Sequence, residues 1–260
     1  VEAMRGMLRD FIQKPWDNDH LLSVIQSQIE QGRSVRQAQD TQSHEEDEAR
    51  EIQRGLMPTD IPEIPGYEIV HDWLPAKHVG GDYFDVLPFG DRSAGLCIAD
   101  VVGKGMAAAL LMSNVQALVH AFASEETSPH MLCSKVNRTM AANIPNNKFV
   151  TFFYAHLDTQ VHRLTYTNAG HNDPVLVRQN GMIERLDDGG LVLGTLPDWT
   201  YDQGEVTLET GDRVVLFTDG VNEAMSPAGE EFGDDRLVDL IAQNRALSPG
   251  DLQQTIMNAI

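Results

Sequence analysis

Three aspartates stand where carboxylates can do chemistry. Asp82 lies in Val79-Gly80-Gly81-Asp82-Tyr83-Phe84-Asp85. Asp100 lies in Leu96-Cys97-Ile98-Ala99-Asp100-Val101-Val102-Gly103-Lys104-Gly105, and Asp219 in Val214-Val215-Leu216-Phe217-Thr218-Asp219-Gly220. Each sits at or beside the end of an apolar run, with glycine close by. Such runs read as buried strands, and glycine lets the backbone turn sharply or approach an ion. Carboxylates converging from separate strands suit hard divalent cations, which take oxygen ligands. Ions of that kind activate water for hydrolysis. Taken singly, each aspartate is better read as an ordinary strand-end turn; the three together point to metal chemistry.

Composition narrows the field. The chain has 260 residues, with 39 acidic against 19 basic side chains and a formal net charge of -20. That balance argues against nucleic acid or an anionic membrane as the main partner. No apolar run reaches the roughly 18 residues a membrane span needs, and the first apolar stretch is broken by Arg9 and Asp10, unlike a signal peptide. The two cysteines, Cys97 and Cys133, lie in apolar contexts and read as buried thiols of a reducing compartment. The expected location is the cytoplasm. The first residue is Val1 rather than Met, as expected for a piece of something longer.

The elements that must position the aspartates follow from pattern. Residues 1–30 read as a strand end, Lys14-Pro15-Trp16, and a helix with Leu21, Leu22, Ile25 and Ile29 at helical spacing. Residues 31–57 are polar and helix-permissive, a linker or signalling helix stopped at Pro58. From Tyr67 the pattern predicts a strand to Leu74 and a hairpin, Tyr83–Pro88 with Ala94–Ala99, around Gly90-Asp91-Arg92. Helices follow over Met106–Ala123 and from Ser128-Pro129. Three further strand pairs are expected, around Asp158-Thr159-Gln160, Asn180-Gly181 and Thr210-Gly211-Asp212. Two helices close the chain, Asp234–Ala242 and one opened by Ser248-Pro249. This order is α+β rather than βαβ, and Gly103-Lys104-Gly105 lacks the full phosphate-loop pattern.

Six stretches carry a resemblance. They are Ala49-Arg50-Glu51-Ile52-Gln53-Arg54-Gly55-Leu56-Met57-Pro58; Pro75-Ala76 with Val79 to Asp85; Asp100 to Gly105 with Ala107 to Leu110; Asn168-Ala169-Gly170-His171-Asn172-Asp173-Pro174; Gly194 to Pro197; and Gly211-Asp212 with Phe217 to Ala224. From about Glu48 to Leu240 the chain resembles the bacterial PPM-type metal-dependent serine/threonine phosphatases, in the branch that controls sporulation and general-stress sigma factors. The start resembles the end of a response-regulator receiver domain, with Lys14 matching the lysine that in such domains contacts the phosphorylated aspartate. The resemblance implies three parts: 1–30 a receiver tail, 31–57 a signalling helix, 58–260 the phosphatase domain. It implies an α+β fold of two antiparallel β-sheets in a sandwich flanked by helices. It also implies one more strand, opened by Asp-Asp and carrying a metal ligand, beyond Ile260.

The resemblance further implies two Mg²⁺ or Mn²⁺ ions held by Asp82, Asp100, the Val101 carbonyl and Asp219, with water acidified by the cations attacking a phosphoserine or phosphothreonine. Asp85, three residues past Asp82, points to the other face of a strand and is a supporting or structural carboxylate. Glu223 orients water at the metals or marks a helix start. His171 assists proton transfer or stabilises its hairpin. Lys77 is a phosphate-binding cation or a solvated lysine. Arg50, Ile52 and Leu56, with Gly103, Lys104 and Gly105, fall where the family places its regulatory switch. The implied substrate is a phosphorylated anti-sigma-factor antagonist, under two-component control by an upstream receiver, with a homodimer through residues 31–57. A scaffold of the same fold without activity, and a hydrolase of small phosphate esters, are the alternative readings.

Overall fold

The computed structural model describes residues 18–75, 78–145 and 147–260. The chain divides into two units, 1–48 and 49–260. Helix α1 (Asn18–Leu56) is continuous over 39 residues, so residues 18–30 run into the expected signalling helix without a break. Lys14 and its Lys-Pro-Trp stretch lie outside the described residues. In the first unit, Leu22, Ile25 and Ile29 of α1 are exposed.

The second unit is built from the alternation of its strands. Strand β1 (Tyr83–Phe89) pairs antiparallel with β2 (Ser93–Val101). After α2 (Met106–Phe122) and α3 (Pro129–Ala141), β3 (Val150–Asp158) pairs with β2 and β4 (Arg163–Ala169) with β3. Strands β5 (Val175–Val177) and β6 (Ile183–Arg185) form a separate hairpin. The short β7 (Gly189–Gly190) runs parallel to β4, and β8 (Gly204–Thr207) runs antiparallel to it. Strand β9 (Arg213–Val215) joins β5. One turn, α4 (Asp219–Asn222), and the helices α5 (Asp234–Gln243) and α6 (Pro249–Ala259) end the chain.

Two sheets result. The first is ordered β1-β2-β3-β4-β7 with β8 also on β4, the second β6-β5-β9. Side-chain alternation sorts three cores. Cys97, Ala99 and Val101 of β2 and Phe152 and Tyr154 of β3 pack under α2 and α3. Phe153, Ala155 and Leu157 point the other way and meet Leu176 and Val214 of the second sheet. Val175 and Val177 face out, against Leu237, Ile241, Leu252 and Ile256 of α5 and α6. By the same parity, Asp100 and Thr151 at the strand ends lie on the face between the sheets.

The α+β arrangement of two sheets flanked by helices matches the expectation, with the β4–β7 pair as a parallel exception. Two elements differ. Residues 67–74 form no strand; among the described residues their one ladder contact is the bridge between Ile64 and Tyr67. Tyr67 and Ile69 still bury against the inter-sheet core, so the apolar pattern is used for packing without a partner strand. The expected hairpin around Thr210-Gly211-Asp212 splits, with β8 going to the first sheet and β9 to the second. Arg178 sits in the fork: its Nη1 donates to the Thr207 carbonyl at 2.7 Å and to Asp212 Oδ2 at 2.8 Å. Its Nε donates to Glu184. Asp212 also accepts from the Glu209 and Gln179 amides, and these donors hold its carboxyl below the usual range against the opposing effect of burial.

The Asp212 side chain is only 3% exposed and that of Arg178 18%, so the pair is largely shielded from solvent. Removing one partner of such a pair costs about 3–5 kcal/mol. Arg178→Met is therefore expected to lower the unfolding free energy by about 3 kcal/mol in urea denaturation. An unchanged midpoint would refute the role of Arg178 in the fork.

Candidate metal centre

Asp82 immediately precedes β1, and Asp100 is the penultimate residue of β2. The register Tyr83↔Ala99, extended by one residue, sets them opposite each other. Their side chains hydrogen-bond. Gly81 completes the corner. A Cβ there would stand 2.7 Å from the Val101 carbonyl oxygen and 3.3 Å from Asp100 Oδ1, so only glycine leaves that pocket of oxygens open. Asp219 arrives from the second sheet, four residues past β9, and opens α4. Its charge acts on both Asp82 and Asp100, and Glu223 acts on Asp100. The structure thus brings Asp82, Asp100, the Val101 carbonyl, Asp219 and Glu223 to one end of the two sheets.

The electrostatics are those of crowded like charges. Burial first, then the nearby Asp219, pushes the Asp82 carboxyl up to about 6. Burial, then Asp82 and Asp219, pushes Asp100 up to about 7. Both carboxyls are therefore harder to ionise than an isolated aspartate. The donors are all hard oxygens, the kind that Mg²⁺ and Mn²⁺ take, and a divalent cation would relieve the repulsion between them. In kind, the residues fit such an ion. Among the described residues, no group of three or more His, Cys, Asp or Glu side chains is arranged to hold one metal ion.

The remaining expected residues fall in different places. Asp85 lies on the helix side of β1, buried, accepting from Tyr83 Oη at 2.8 Å and paired with His120 Nε2 of α2 at 2.7 Å; it ties α2 to the sheet. His171 is buried between the sheets, with Nδ1 2.9 Å from Thr151 Oγ1 and Nε2 3.1 Å from the Phe217 carbonyl. Lys77 lies outside the described residues. Gly103 and Gly105 take positive φ, 112° and 74°, and Gly105 leads into α2; Lys104 is exposed. On α1, Ile52 is 68% exposed, and Arg50 Nε is buried with no hydrogen-bond partner among the described residues.

Three residues escaped the sequence reading. Gln53, 3% exposed, clamps Gly80 with both ends of its amide: Nε2 donates to the Gly80 carbonyl at 2.7 Å, and Oε1 accepts from the Gly80 amide at 3.0 Å. The last turns of α1 thereby hold the backbone two residues before Asp82. Thr151 stands opposite Asp100 in the β2–β3 register. Lys148 Nζ donates to the Val102 carbonyl at 3.3 Å, bracing the loop after Asp100. Gln53 enters the sequence reading only as part of the stretch from Ala49 to Pro58, and none of the three stands out by residue type.

The family described as Stage II sporulation protein E (SpoIIE) matches residues 90–260. The chain belongs to the SpoIIE family. Its domain is of the PPM-type phosphatase class, related to the RsbU and RsbP regulators. The phosphoserine phosphatase RsbU of Bacillus subtilis is 34% identical over 182 residues, covering 70% of this chain and 54% of that protein. The SiaA-PP2C domain of Pseudomonas aeruginosa superposes with a TM-score of 0.72 at 21% identity, over 85% of this chain and 90% of that one. The RsbU and RsbW domains of Rv1364c from Mycobacterium tuberculosis give 0.61 at 27% identity, over 71% of this chain and 51% of theirs. This SpoIIE-family chain spans about half the length, or less, of the curated relatives it matches.

The raised carboxylates fix a pH dependence. In the metal-free protein, Asp82 and Asp100 bind protons up to about pH 6 and 7 respectively, whereas an unfolded chain releases them near the ordinary carboxylate value of roughly 4. The native state therefore holds more protons across that window, and stability falls as pH rises through it. Thermal melts without metal are expected to fall between pH 5 and pH 8, by an amount that Asp100→Asn greatly reduces and that added Mn²⁺ offsets at the alkaline end; a flat profile in the parent protein would contradict the crowding (a scan from about pH 5 to 8 brackets both titrations).

Proposed function

We propose that this chain is the output domain of a cytoplasmic protein phosphatase that removes phosphate from serine or threonine on a regulatory protein, with Mg²⁺ or Mn²⁺ as cofactor. The observation that carries the reading is the corner formed by Asp82, Asp100 and the Val101 carbonyl over Gly81, with Asp219 presented from the second sheet. Asp82, Asp100, Asp219 and the Val101 carbonyl would hold the ions. When bound, such ions supply charge neutralisation at the phosphate and a more acidic water. The chain's own part is placement. Asp82 and Asp100 are fixed by a strand pair, Gly81 keeps the corner open, and Gln53 pins the approach to Asp82. The charge of Glu223 acts on Asp100, and its proposed part is to orient water at the ions.

The substrate class follows from the relatives: one is a phosphoserine phosphatase, RsbU. A phosphorylated anti-sigma-factor antagonist is the proposed partner. We read residues 31–57 as the helix through which an upstream receiver acts, with Arg50, Ile52 and Leu56, and Gly103 to Gly105, as parts of the regulatory switch. The exposed Leu22, Ile25 and Ile29 extend the proposed dimer seam beyond residues 31–57. A second reading, a scaffold of the same fold without activity, is favoured by one observation: no three carboxylate, imidazole or thiolate groups among the described residues are arranged around a single ion.

One assay separates the two. With Mn²⁺ and a phosphoserine protein, the parent chain is expected to release phosphate, and chelation to stop it. Asp100→Asn should lower turnover at least about a hundredfold, since losing a ligand that places the ions removes several kcal/mol of transition-state stabilisation. No Mn²⁺-dependent release at any protein concentration would favour the scaffold.

A further inference from the structure

The two sheets carry different ligands, and one side chain joins them at the site. Asp100 is on β2, and Thr151 is its partner on β3. Phe217 is on the segment leaving β9, two residues before Asp219. His171 touches both: its Nδ1 lies 2.9 Å from Thr151 Oγ1, and its Nε2 lies 3.1 Å from the Phe217 carbonyl oxygen.

The hydrogen positions follow from the partners. A carbonyl only accepts, so Nε2 carries the hydrogen and donates to Phe217. Nδ1 then has a bare lone pair and accepts from the Thr151 hydroxyl. Thr151 has one hydrogen, so its 3.4 Å approach to the Asp100 carbonyl is a contact only. Burial lowers the imidazole to about 4, which keeps this single neutral tautomer at neutral pH. Both ring nitrogens thus have a partner. The backbone that carries the ring is held too: the His171 amide donates to Asn168 Oδ1 at 2.7 Å, and Asn168 Nδ2 donates back to the His171 carbonyl at 3.1 Å.

We propose that His171 is a positioning residue that sets the distance between the Asp82–Asp100 corner and Asp219, and hence the gap that the ions must span. The proposal rests on the metal-dependent reading above. Among the described hydrogen bonds, the His171 bridge is the one that runs from the residue opposite Asp100 to the residue two before Asp219. A histidine that merely stabilised its loop would change stability and leave ion affinity alone. A positioning histidine changes ion affinity beyond any change in stability, because groups that orient metal ligands typically carry about 10- to 100-fold in affinity.

The test uses Mn²⁺ alone as probe, measured by calorimetry and by the Mn²⁺ spin-resonance signal, on the chain with and without Thr151→Val, His171→Gln and His171→Phe. Thr151→Val is close in shape and removes only the hydroxyl, so it guards against a misfolded histidine variant. The expected result is Mn²⁺ affinity weakened about tenfold by His171→Phe, and less by Thr151→Val. His171→Gln, which keeps a donor for the Phe217 carbonyl, should recover part of the loss. Combining Thr151→Val with His171→Phe should add little, as for two residues of one bridge. Melting temperatures that fall while Mn²⁺ affinity stays at the parent value would overturn the proposal. A parent chain that binds no Mn²⁺ would instead overturn the metal reading beneath it.

Discussion

Repulsion between carboxylates is the constraint on which the rest of this structure turns. Asp82 and Asp100 are held side by side, partly buried, with the charges of Asp219 and Glu223 close by. No chain gathers such groups spontaneously; each would sooner face water. They stay together because three cores, above, between and below the two sheets, fix the backbone that carries them. The stored tension is what an ion with two positive charges would release, so folding and binding are two sides of the same balance.

That balance explains why so much of the second unit braces its strand ends. Gln53 grips Gly80, Lys148 reaches the Val102 carbonyl, and His120 meets the buried Asp85 across to α2. None of these touches a proposed ligand side chain directly. Each removes freedom from a segment next to one. α1 and α2, which bear Gln53 and His120, are thus joined mechanically to the corner at Gly81, and a change in either helix has a short physical route to the carboxylates.

Much of this was legible in the sequence, for local reasons. Asn180-Gly181 and Gly90-Asp91-Arg92 name their hairpins through turn chemistry, and Ser128-Pro129 and Ser248-Pro249 open helices where such pairs should. Asp82, Asp100 and Asp219 could be picked out because an acidic residue closing an apolar run is conspicuous. What was not legible depends on distant partners. Residues 67–74 alternate like a strand, and no neighbouring edge takes them up. β8 and β9 look like one hairpin, yet Arg178 stands between them and each finds its ladder elsewhere. Gln53 reads as one more polar residue on a polar helix, and Thr151 as any strand threonine, until register and burial give them partners.

The parting of β8 and β9 also bears on the order in which the molecule comes into being. A growing chain that has emerged only through β4 possesses the first four strands of the first sheet and, with them, Asp82 and Asp100. Asp219 is reached only after the crossover through Gly211, and closing so long a loop is slow relative to forming hairpins. A half-synthesised molecule therefore carries an acidic notch with no opposing jaw, and Asp219, the third proposed ligand, arrives with the last third of the polypeptide.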